Sequence, residues 1–293
     1  MPKHLVAKEH DLGGLTVKRV LPHMQKKMVG PFIFFDHMGP TNFAAGTGIN
    51  VRPHPHIGLS TLTYLFTGSI LHRDSLGTHL EIFPGDVNWM TAGKGIVHSE
   101  RETFEVRANP HHIDGLQCWV ALPENMAELS PSFQHVKKSE LPHLIHEGVM
   151  MRLIVGEALG LSSPVKTYSP MFYLDIAACQ SSDIIRPNFD INDPSNLKVS
   201  HECGVYVVEG EVNISGATFK KGEFILLEDT DTMVTMNVSG RLIMLGGEKF
   251  EQPPFLTWNF VAYSKERISQ AVDDWRAQKF PKVPGDDKEY IEY

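Results

Sequence analysis

Residues 61–72 read TLTYLFTGSILH, an apolar run that is interrupted at Gly68-Ser69 and then resumes. β-Branched and aromatic residues favour strands and Gly-Ser favours a turn, so the segment predicts strand, turn, strand. Val205–Ile214 has the same pattern around Glu209-Gly210. Similar short segments fill most of the chain, separated by Gly, Pro, Asn and Asp. This pattern predicts an all-β sandwich or barrel.

The two segments also align with each other. Tyr64–Ile70 (YLFTGSI) overlays Tyr206–Val212 (YVVEGEV), and both predict a strand that ends in a glycine hairpin. Downstream, Gly85-Asp86 overlays Gly222-Glu223. Such self-similarity predicts two β-barrels in tandem, joined within residues 130–148. We therefore expect one domain over residues 1–135 and a second over residues 136–293.

One amphipathic helix is expected between Ser264 and Lys279. Ser264 is a suitable N-cap, and the apolar residues fall on one helical face, namely Ile268, Ala271, Val272 and Trp275. We assign this helix to the second domain and expect it to pack on the outside of a barrel. The polar tail Gly285–Tyr293 is expected to fray.

Composition excludes several classes of protein. With 293 residues, 42% hydrophobic and 21% charged, the chain is neither disordered nor fibrous. No apolar run approaches the ~18 residues of a membrane span, and the first residues lack the apolar segment of a signal peptide. Three cysteines without a CxxC motif, Cys118, Cys179 and Cys203, are typical of reduced core thiols. We expect a cytoplasmic protein without membrane contact.

The distribution of charge argues against direct binding to nucleic acid. The net charge is −8; residues 1–135 carry 11 basic and 12 acidic side chains, and residues 136–293 carry 16 and 23. Binding to a phosphate backbone needs a basic surface, which neither half offers.

Histidines are concentrated in the first half, where eight of the fifteen lie between residues 37 and 112. His54-Pro55-His56 is an HxH motif, and His98-Ser99-Glu100 is an HxE motif. On a strand, residues i and i+2 point to the same face, so the two motifs predict three imidazoles and one carboxylate facing each other. This donor set suits Fe(II), Mn, Ni or Cu with open positions, and the absence of thiolates argues against a closed structural zinc site.

The repeat places no comparable ligands in the second half. The positions equivalent to the four ligands are approximately Asn196, Lys198, Thr235 and Asn237, with only His201 nearby. We therefore expect one metal site per chain, in the first domain.

Other polar and aromatic residues allow two interpretations each. Asp36 and His37 would orient a ligand imidazole from outside the ligand set or hydrogen-bond within a turn or the core. Four apolar residues would line a pocket or pack in the core: Phe43, Phe66, Trp89 and Met90. Four further histidines are expected in solvent: His72, His79, His111 and His112.

Two motifs resemble those of the cupin superfamily: Gly48 and five residues before His54-Pro55-His56, and Gly95 and two residues before His98. Over residues 15–280 the chain resembles the pirin family of bicupins. The matching stretches are Gly30-Pro31-Phe32, Phe35-Asp36-His37, Pro53–Gly58, Leu62–Leu65, Pro84–Val87, Ala92–Glu100 and Leu245–Glu248. This resemblance implies two tandem jelly-roll-like cupin barrels.

The resemblance also implies a ligand set. Pirins bind one iron in the N-terminal cupin through HxH and HxE, which correspond here to four residues: His54, His56, His98 and Glu100. Fe²⁺ is therefore the expected cofactor, with Mn, Ni, Cu or Zn as alternatives. The general cupin motif has a further glutamate where this chain has Ser60 and Thr61, which leaves Glu100 as the only carboxylate ligand.

The activity implied by the resemblance is that of a quercetin 2,3-dioxygenase, which cleaves a flavonol with O₂ and releases CO. Glu100 would then take the proton of the flavonol 3-hydroxyl. The alternative, also implied by the family, is an iron-dependent redox sensor that binds a transcription factor or a metabolic enzyme through the acidic second half. A metal-free structural bicupin is the third possibility. We expect a monomer.

Overall fold

The structure is a computed structural model that describes residues 2–11, 14–187 and 201–293. The chain folds as two compact units. The first unit comprises Glu9–Arg19, Phe34–Lys138 and Glu251–Tyr293, and the second comprises Met1–Lys8, Val20–Ile33 and Ser139–Phe250, in so far as these ranges are described.

In the described residues, the first unit contains two large antiparallel sheets and a separate two-stranded hairpin. The larger has the order β12-β9-β6-β11-β4-β3-β2, and the smaller, which we call the histidine sheet, has the order β5-β10-β7-β8. Their strands are β2 (Lys8–Asp11), β3 (Thr16–Leu21), β4 (Phe32–Phe43), β5 (Asn50–His56), β6 (Leu59–Thr67), β7 (Ile70–Asp74), β8 (His79–Ile82), β9 (Val87–Thr91), β10 (Ile96–Arg101), β11 (His111–Ala121) and β12 (Ser132–Val136). A short helix, α1 (Phe104–Arg107), and a 3₁₀ turn (Glu124–Met126) connect strands. Leu65 and Ile113 of the larger sheet pack against Ile70 and Ile82 of the histidine sheet.

The second unit has the same two-layer design. One sheet has the order β1-β21-β18-β23-β16-β14-β13 with β15 paired to β14, and the other has the order β17-β22-β19-β20. Their bounds are β1 (Lys3–Leu5), β13 (His143–His146), β14 (Val149–Ala158), β15 (Leu161–Ser162), β16 (Met171–Ala178), β17 (Ser182–Ile185), β18 (His201–Glu209), β19 (Glu211–Ile214), β20 (Ala217–Lys220), β21 (Phe224–Leu227), β22 (Met233–Met236) and β23 (Gly240–Glu248), with a 3₁₀ turn at Lys138–Glu140. A buried apolar core contains residues from both sheets. The expected all-β architecture with two jelly-roll-like units is confirmed.

Equivalent backbone hydrogen bonds support the internal repeat. The Gly85 amide donates to the Leu65 carbonyl over 2.9 Å, and the Gly222 amide donates to the Val207 carbonyl over 2.8 Å. Leu65 follows Tyr64 as Val207 follows Tyr206. The two segments aligned in the sequence therefore fold alike.

The prediction of β-hairpins at Gly68 and Gly210 is wrong. β6 belongs to the larger sheet and β7 to the histidine sheet, so the turn carries the chain from one layer to the other, and β18 and β19 are related in the same way. Both glycines have positive φ, +80° and +82°. A Cβ on Gly68 would collide with the His112 carbonyl oxygen, so the corner requires glycine.

The predicted C-terminal helix is confirmed as α2 (Lys265–Arg276), and the Ser264 hydroxyl accepts from the Arg267 amide at its start. Its four predicted apolar residues are buried, and they pack against Ile57 and Val97 of the first unit together with Phe260 of the hairpin β24 (Phe255–Thr257) and β25 (Phe260–Ala262).

Each end of the chain belongs to a different unit from the one that a division at residue 135 would give it. Strand β1 pairs with β21 of the second unit, and Glu251–Tyr293 belongs to the first unit, including the helix that we had assigned to the second domain. The tail expected to fray is instead held by hydrogen bonds, such as that from the Ile291 amide to the Pro53 carbonyl at 2.9 Å.

The three cysteines differ in their exposure to solvent. Cys118 and Cys203 are buried free thiols as expected, whereas Cys179 is exposed, so the core assignment for Cys179 is wrong. None of the helices in the described part of the chain has the length and apolar character needed to cross a membrane.

Candidate metal centre

Three histidines converge between the two sheets of the first unit. His54 and His56 lie on β5, and His98 lies on the adjacent β10 directly opposite His54. The ring centroids are 4.4 Å apart for His54 and His98 and 5.0 Å apart for the other two pairs. One ring nitrogen from each histidine lies within 4.8 Å of the other two. The alternation of side chains along β5 and the pairing with β10 bring the three rings together, as the spacing predicted.

The hydrogen bonds of these rings and the lowered pKa values of the three histidines are compatible with metal binding. The Nδ1 of His54 lies 2.9 Å from the Arg52 carbonyl, which leaves its Nε2 for another partner, and the Nε2 atoms of His56 and His98 are 3.0 Å apart. Burial lowers the pKa of His54 to about 4 and holds the pKa values of His56 and His98 well below their ordinary value. Neutral imidazoles with converging lone pairs are the form that a metal ion requires.

Glu100 lies two residues beyond His98, next to a register shift in the pairing of β10 with β5. Its carboxylate is buried, with Oε1 at 3.4 Å from the Thr63 hydroxyl. That hydroxyl lies closer to Gln117 Oε1, at 2.8 Å, so its single proton goes to Gln117 and Glu100 is held weakly. Burial raises the pKa of Glu100, against opposing effects of His72 and Thr63. Glu100 does not belong to the close group of ligand atoms among the described residues, so its role as a ligand stays a prediction.

His72, expected in solvent, is buried beside the centre. Its ring lies 5.3 Å from that of His98 and stacks on Phe133 at 4.5 Å. Its Nε2 lies 3.1 Å from the Asp74 carboxylate, which also accepts from the Leu76 and Thr78 amides. The spacing His72-x-Asp74 on a strand is the same i, i+2 signal as HxH and HxE, and this signal could have identified the pair.

Two aromatic residues beside the centre, Trp119 and Phe34, were not predicted from the sequence. Trp119 meets the ring of His56 edge-on at 5.0 Å and stacks on Phe34 at 4.0 Å, and the Arg19 guanidinium lies 4.4 Å above Phe34. A single tryptophan in an apolar stretch is ordinarily a core residue, and the sequence contains no signal that places Trp119 at the centre.

Asp36 and His37 form hydrogen bonds away from the three histidines. Asp36 accepts two bonds from Arg19, at 2.8 and 2.7 Å, which fits the interpretation as a core hydrogen bond. Burial raises the pKa of Asp36 despite the neighbouring guanidinium. His37 Nε2 lies 2.6 Å from the Asp114 carboxylate.

The apolar pocket candidates differ in position. Phe43 is buried in the core with Leu65 and lies 5.2 Å from the ring of His111, whereas the half-buried Phe66 meets His37 edge-on. Trp89 and Met90 are almost completely buried on β9. A role for these residues in a pocket stays a prediction.

The remaining histidines of the first half lie outside the centre. His79 and His112 are exposed as expected. His111 is half-buried instead, with Nε2 at 2.8 Å from the Glu102 carboxylate.

In the second unit, the positions expected to replace the ligands make other contacts. Thr235 donates to Asp183 over 2.7 Å, and Asn237 donates to Glu211 over 3.0 Å. Asn196 and Lys198 lie outside the described residues. The metal-free state of this unit therefore stays a prediction.

Comparison with known proteins supports the resemblance. The model of the Pirin family matches residues 14–120, and that of the pirin C-terminal cupin domain matches residues 188–281. A pirin-like protein of Caulobacter vibrioides is 43% identical over 97% of this chain and 96% of its own. The chain belongs to the pirin family. Human pirin is 30% identical to this pirin-family chain, over 94% of this chain and 91% of its own.

Two relatives of this pirin-family chain carry the name of an enzyme. A Pseudomonas aeruginosa protein provisionally named quercetin 2,3-dioxygenase is 37% identical over 90% of this chain and 79% of its own. The crystal structure of a quercetin 2,3-dioxygenase from Acinetobacter baumannii superposes with a TM-score of 0.87 and 32% identity, covering 100% of this chain and 94% of that one. The three-histidine centre thus lies in a fold shared with proteins named as oxygenases.

Proposed function

We propose that this protein is a metal-dependent oxygenase of the quercetin 2,3-dioxygenase type, which cleaves a flavonol with O₂ and releases CO. The observation that carries the proposal is the group of three buried, converging imidazoles on β5 and β10. The names of its relatives in Pseudomonas and Acinetobacter support the reaction class.

The proposed ligands are His54, His56, His98 and Glu100, and the proposed metal is Fe²⁺. Three nitrogens and one carboxylate oxygen also suit Mn, Ni, Cu or Zn. When bound, the metal would hold the oxygens of the flavonol and supply the redox chemistry with O₂. The cytoplasmic location and the monomeric state stay predictions.

Glu100 is the proposed general base. A base acts best when its pKa lies near the working pH, and burial raises the pKa of Glu100 from its ordinary value. Since Thr63 donates its proton to Gln117, one carboxylate oxygen of Glu100 remains available for the proton of the 3-hydroxyl. Trp119 and Phe34 form an apolar surface beside His56 on this side of the imidazoles.

The test is anaerobic purification without chelator, metal analysis, and oxygen uptake with quercetin. We expect about one iron per chain and oxygen uptake that is lost in the double variant His54→Ala/His56→Ala. The matched control is His79→Ala/His112→Ala, which removes two exposed imidazoles and should retain iron and turnover. Bound iron without oxygen uptake would favour the alternative, a redox-sensing regulator, and the absence of any metal would contradict both functions.

A further inference from the structure

The polar tail Gly285–Tyr293 lies on the outer face of the histidine sheet. Neighbouring residues on a strand point to opposite faces, so Arg101 points away from the side that carries Glu100. The Arg101 guanidinium donates to both oxygens of Asp286, at 2.6 and 2.8 Å, and to Glu289 at 2.8 Å. This bidentate pair is the strongest common geometry for an arginine and a carboxylate, and Asp286 is largely shielded from solvent.

The tail also contacts the other ligand strand. The Ile291 amide donates 2.9 Å to the carbonyl of Pro53, the residue before His54. Strand β5 is the edge of the histidine sheet, so this bond uses a backbone acceptor that has no strand partner. The Ile291 carbonyl in turn accepts from Trp275 of α2 over 3.0 Å, which ties the tail to the helix.

A third strand is held in the same way. Arg73 of β7 donates 3.2 Å to the Gly285 carbonyl. At its other end the tail packs Tyr293 edge-on against Trp258 at 5.3 Å, with the Arg276 guanidinium 4.9 Å from the same ring. The tail is therefore anchored on both sides of its contacts with the ligand strands.

These contacts adjoin the residues of the metal centre. Pro53 precedes His54, and Arg101 follows Glu100, at the register shift where the pairing of β5 with β10 is irregular. Backbone pairing alone therefore fixes the separation of the two strands less well here than along a regular ladder. The tail spans this point from the outer face.

We propose that the C-terminal tail is a positioning element of the metal centre, in which Asp286 and Ile291 fix the separation of β5 and β10 and thereby the spacing of the ligands. The inference rests on the proposed metal site. Residues outside the ligand set that hold ligands in place typically contribute 10- to 100-fold to metal affinity. The tail would do so through the backbone and the outer face rather than by touching an imidazole.

The test is titration of the metal-free full-length chain with Co²⁺, whose visible absorption reports both affinity and ligand geometry. The variant Asp286→Asn removes the negative charge that pairs with Arg101 and nearly retains the shape of the side chain. Ile291→Pro removes the amide donor, and its matched control Ile291→Val retains that donor. Glu128→Gln is a second control, because it breaks an exposed ion pair with Arg267 of α2 in the same unit.

For the double variant Asp286→Asn/Ile291→Pro we expect a Kd for Co²⁺ about tenfold higher than in the wild type and an altered absorption spectrum. Ile291→Val and Glu128→Gln should retain the wild-type affinity and spectrum. Asp286→Asn alone decides the matter if the proline variant does not fold. Unchanged binding in variants that fold would overturn this inference alone. If wild-type protein binds Co²⁺ no better than His54→Ala/His56→Ala does, both the proposed function and this inference fail.

Discussion

The same physical effect acts in opposite directions on the residues of the centre. Burial disfavours charge, so it lowers the pKa of the three histidines and raises the pKa of Glu100. Burial therefore favours the neutral form of the imidazoles, and the carboxyl accepts a proton more readily than an exposed glutamate. The proposed roles of the histidines as ligands and of Glu100 as a base both fit this environment.

Glu100→Gln tests the base directly. The amide has nearly the same shape but cannot take a proton, so we expect kcat for quercetin to fall by about 100-fold or more. Oxygen uptake under single-turnover and steady-state conditions, with metal analysis of the same sample, measures the effect. A variant that keeps both its metal and full turnover would contradict the assignment.

Asp74→Ala is expected to destabilise the first unit by about 3 kcal/mol. The carboxylate is fully buried and accepts from His72 and from the Leu76 and Thr78 amides, which would all lose their partner. Urea unfolding of the metal-free chain gives the difference. The control Asp273→Ala, at an exposed position of α2, should change stability by less than about 0.5 kcal/mol.

The contribution of Asp74 should depend on pH. Burial alone would raise the pKa of Asp74, but hydrogen bonds from His72 and Thr78 outweigh it and hold the pKa below its ordinary 3.8. A carboxylate with a lowered folded-state pKa stabilises the fold above its unfolded value, and this stability is lost as the pH falls through the folded value. The stability gap between wild type and Asp74→Ala should therefore narrow below about pH 4, and a gap that widens would contradict the sign.

At this scale the sequence predicted what depends on spacing alone. HxH and HxE are readable because the strand period places i and i+2 together, and the three imidazoles do meet. The burial of His72 was not predicted, because it depends on Phe133 of the opposite sheet. Trp119 could not be predicted for the same reason.

At the scale of elements, the glycine corners set which strands share a sheet. We expect Gly68→Ala to cost about 3 kcal/mol in urea unfolding, since it adds both strain at φ +80° and a collision with the His112 carbonyl. Gly77 has φ +93° with open space around its Cβ position, so Gly77→Ala should cost only about 1 kcal/mol. Equal losses in the two variants would show that the collision contributes nothing.

The error at these corners has a clear origin. A glycine turn between two strand-like segments indicates that the chain changes direction, but it does not reveal whether the segments pair with each other. Strands β6 and β7 do not pair with each other: β6 pairs with β9 and β11, and β7 pairs with the following strand β8 and with β10. The helix α2, by contrast, was predicted almost residue by residue, because its cap and its apolar face are local features.

For the whole molecule, all four tryptophans lie in the first unit: Trp89, Trp119, Trp258 and Trp275. Tryptophan emission therefore reports the unfolding of the unit that carries the proposed metal site. With free Zn²⁺ at 100 times its Kd, we expect the emission-monitored unfolding free energy to rise by about 2.7 kcal/mol. His54→Ala/His56→Ala should show no rise, and an equal rise in that variant would place the zinc elsewhere.

Boundaries along the chain were the least predictable feature at this scale. The repeat located the change of unit in the middle of the sequence, but nothing local in Lys3–Leu5 or Gly285–Tyr293 indicates which half each end joins. Those assignments depend on the pairing of β1 with β21 and on the bonds from the tail to Arg101 and Pro53.

The C-terminal segment Glu251–Tyr293 belongs to the first unit, which has a consequence for synthesis on the ribosome. The strands with the histidines emerge early, yet the tail on the outer face of their sheet is translated only after the main segment of the second unit, Ser139–Phe250. At about 5–20 residues per second, the chain from residue 139 onward takes on the order of ten to thirty seconds to make. During that time the nascent histidine sheet lacks the contacts that the tail makes with Arg101 and Pro53.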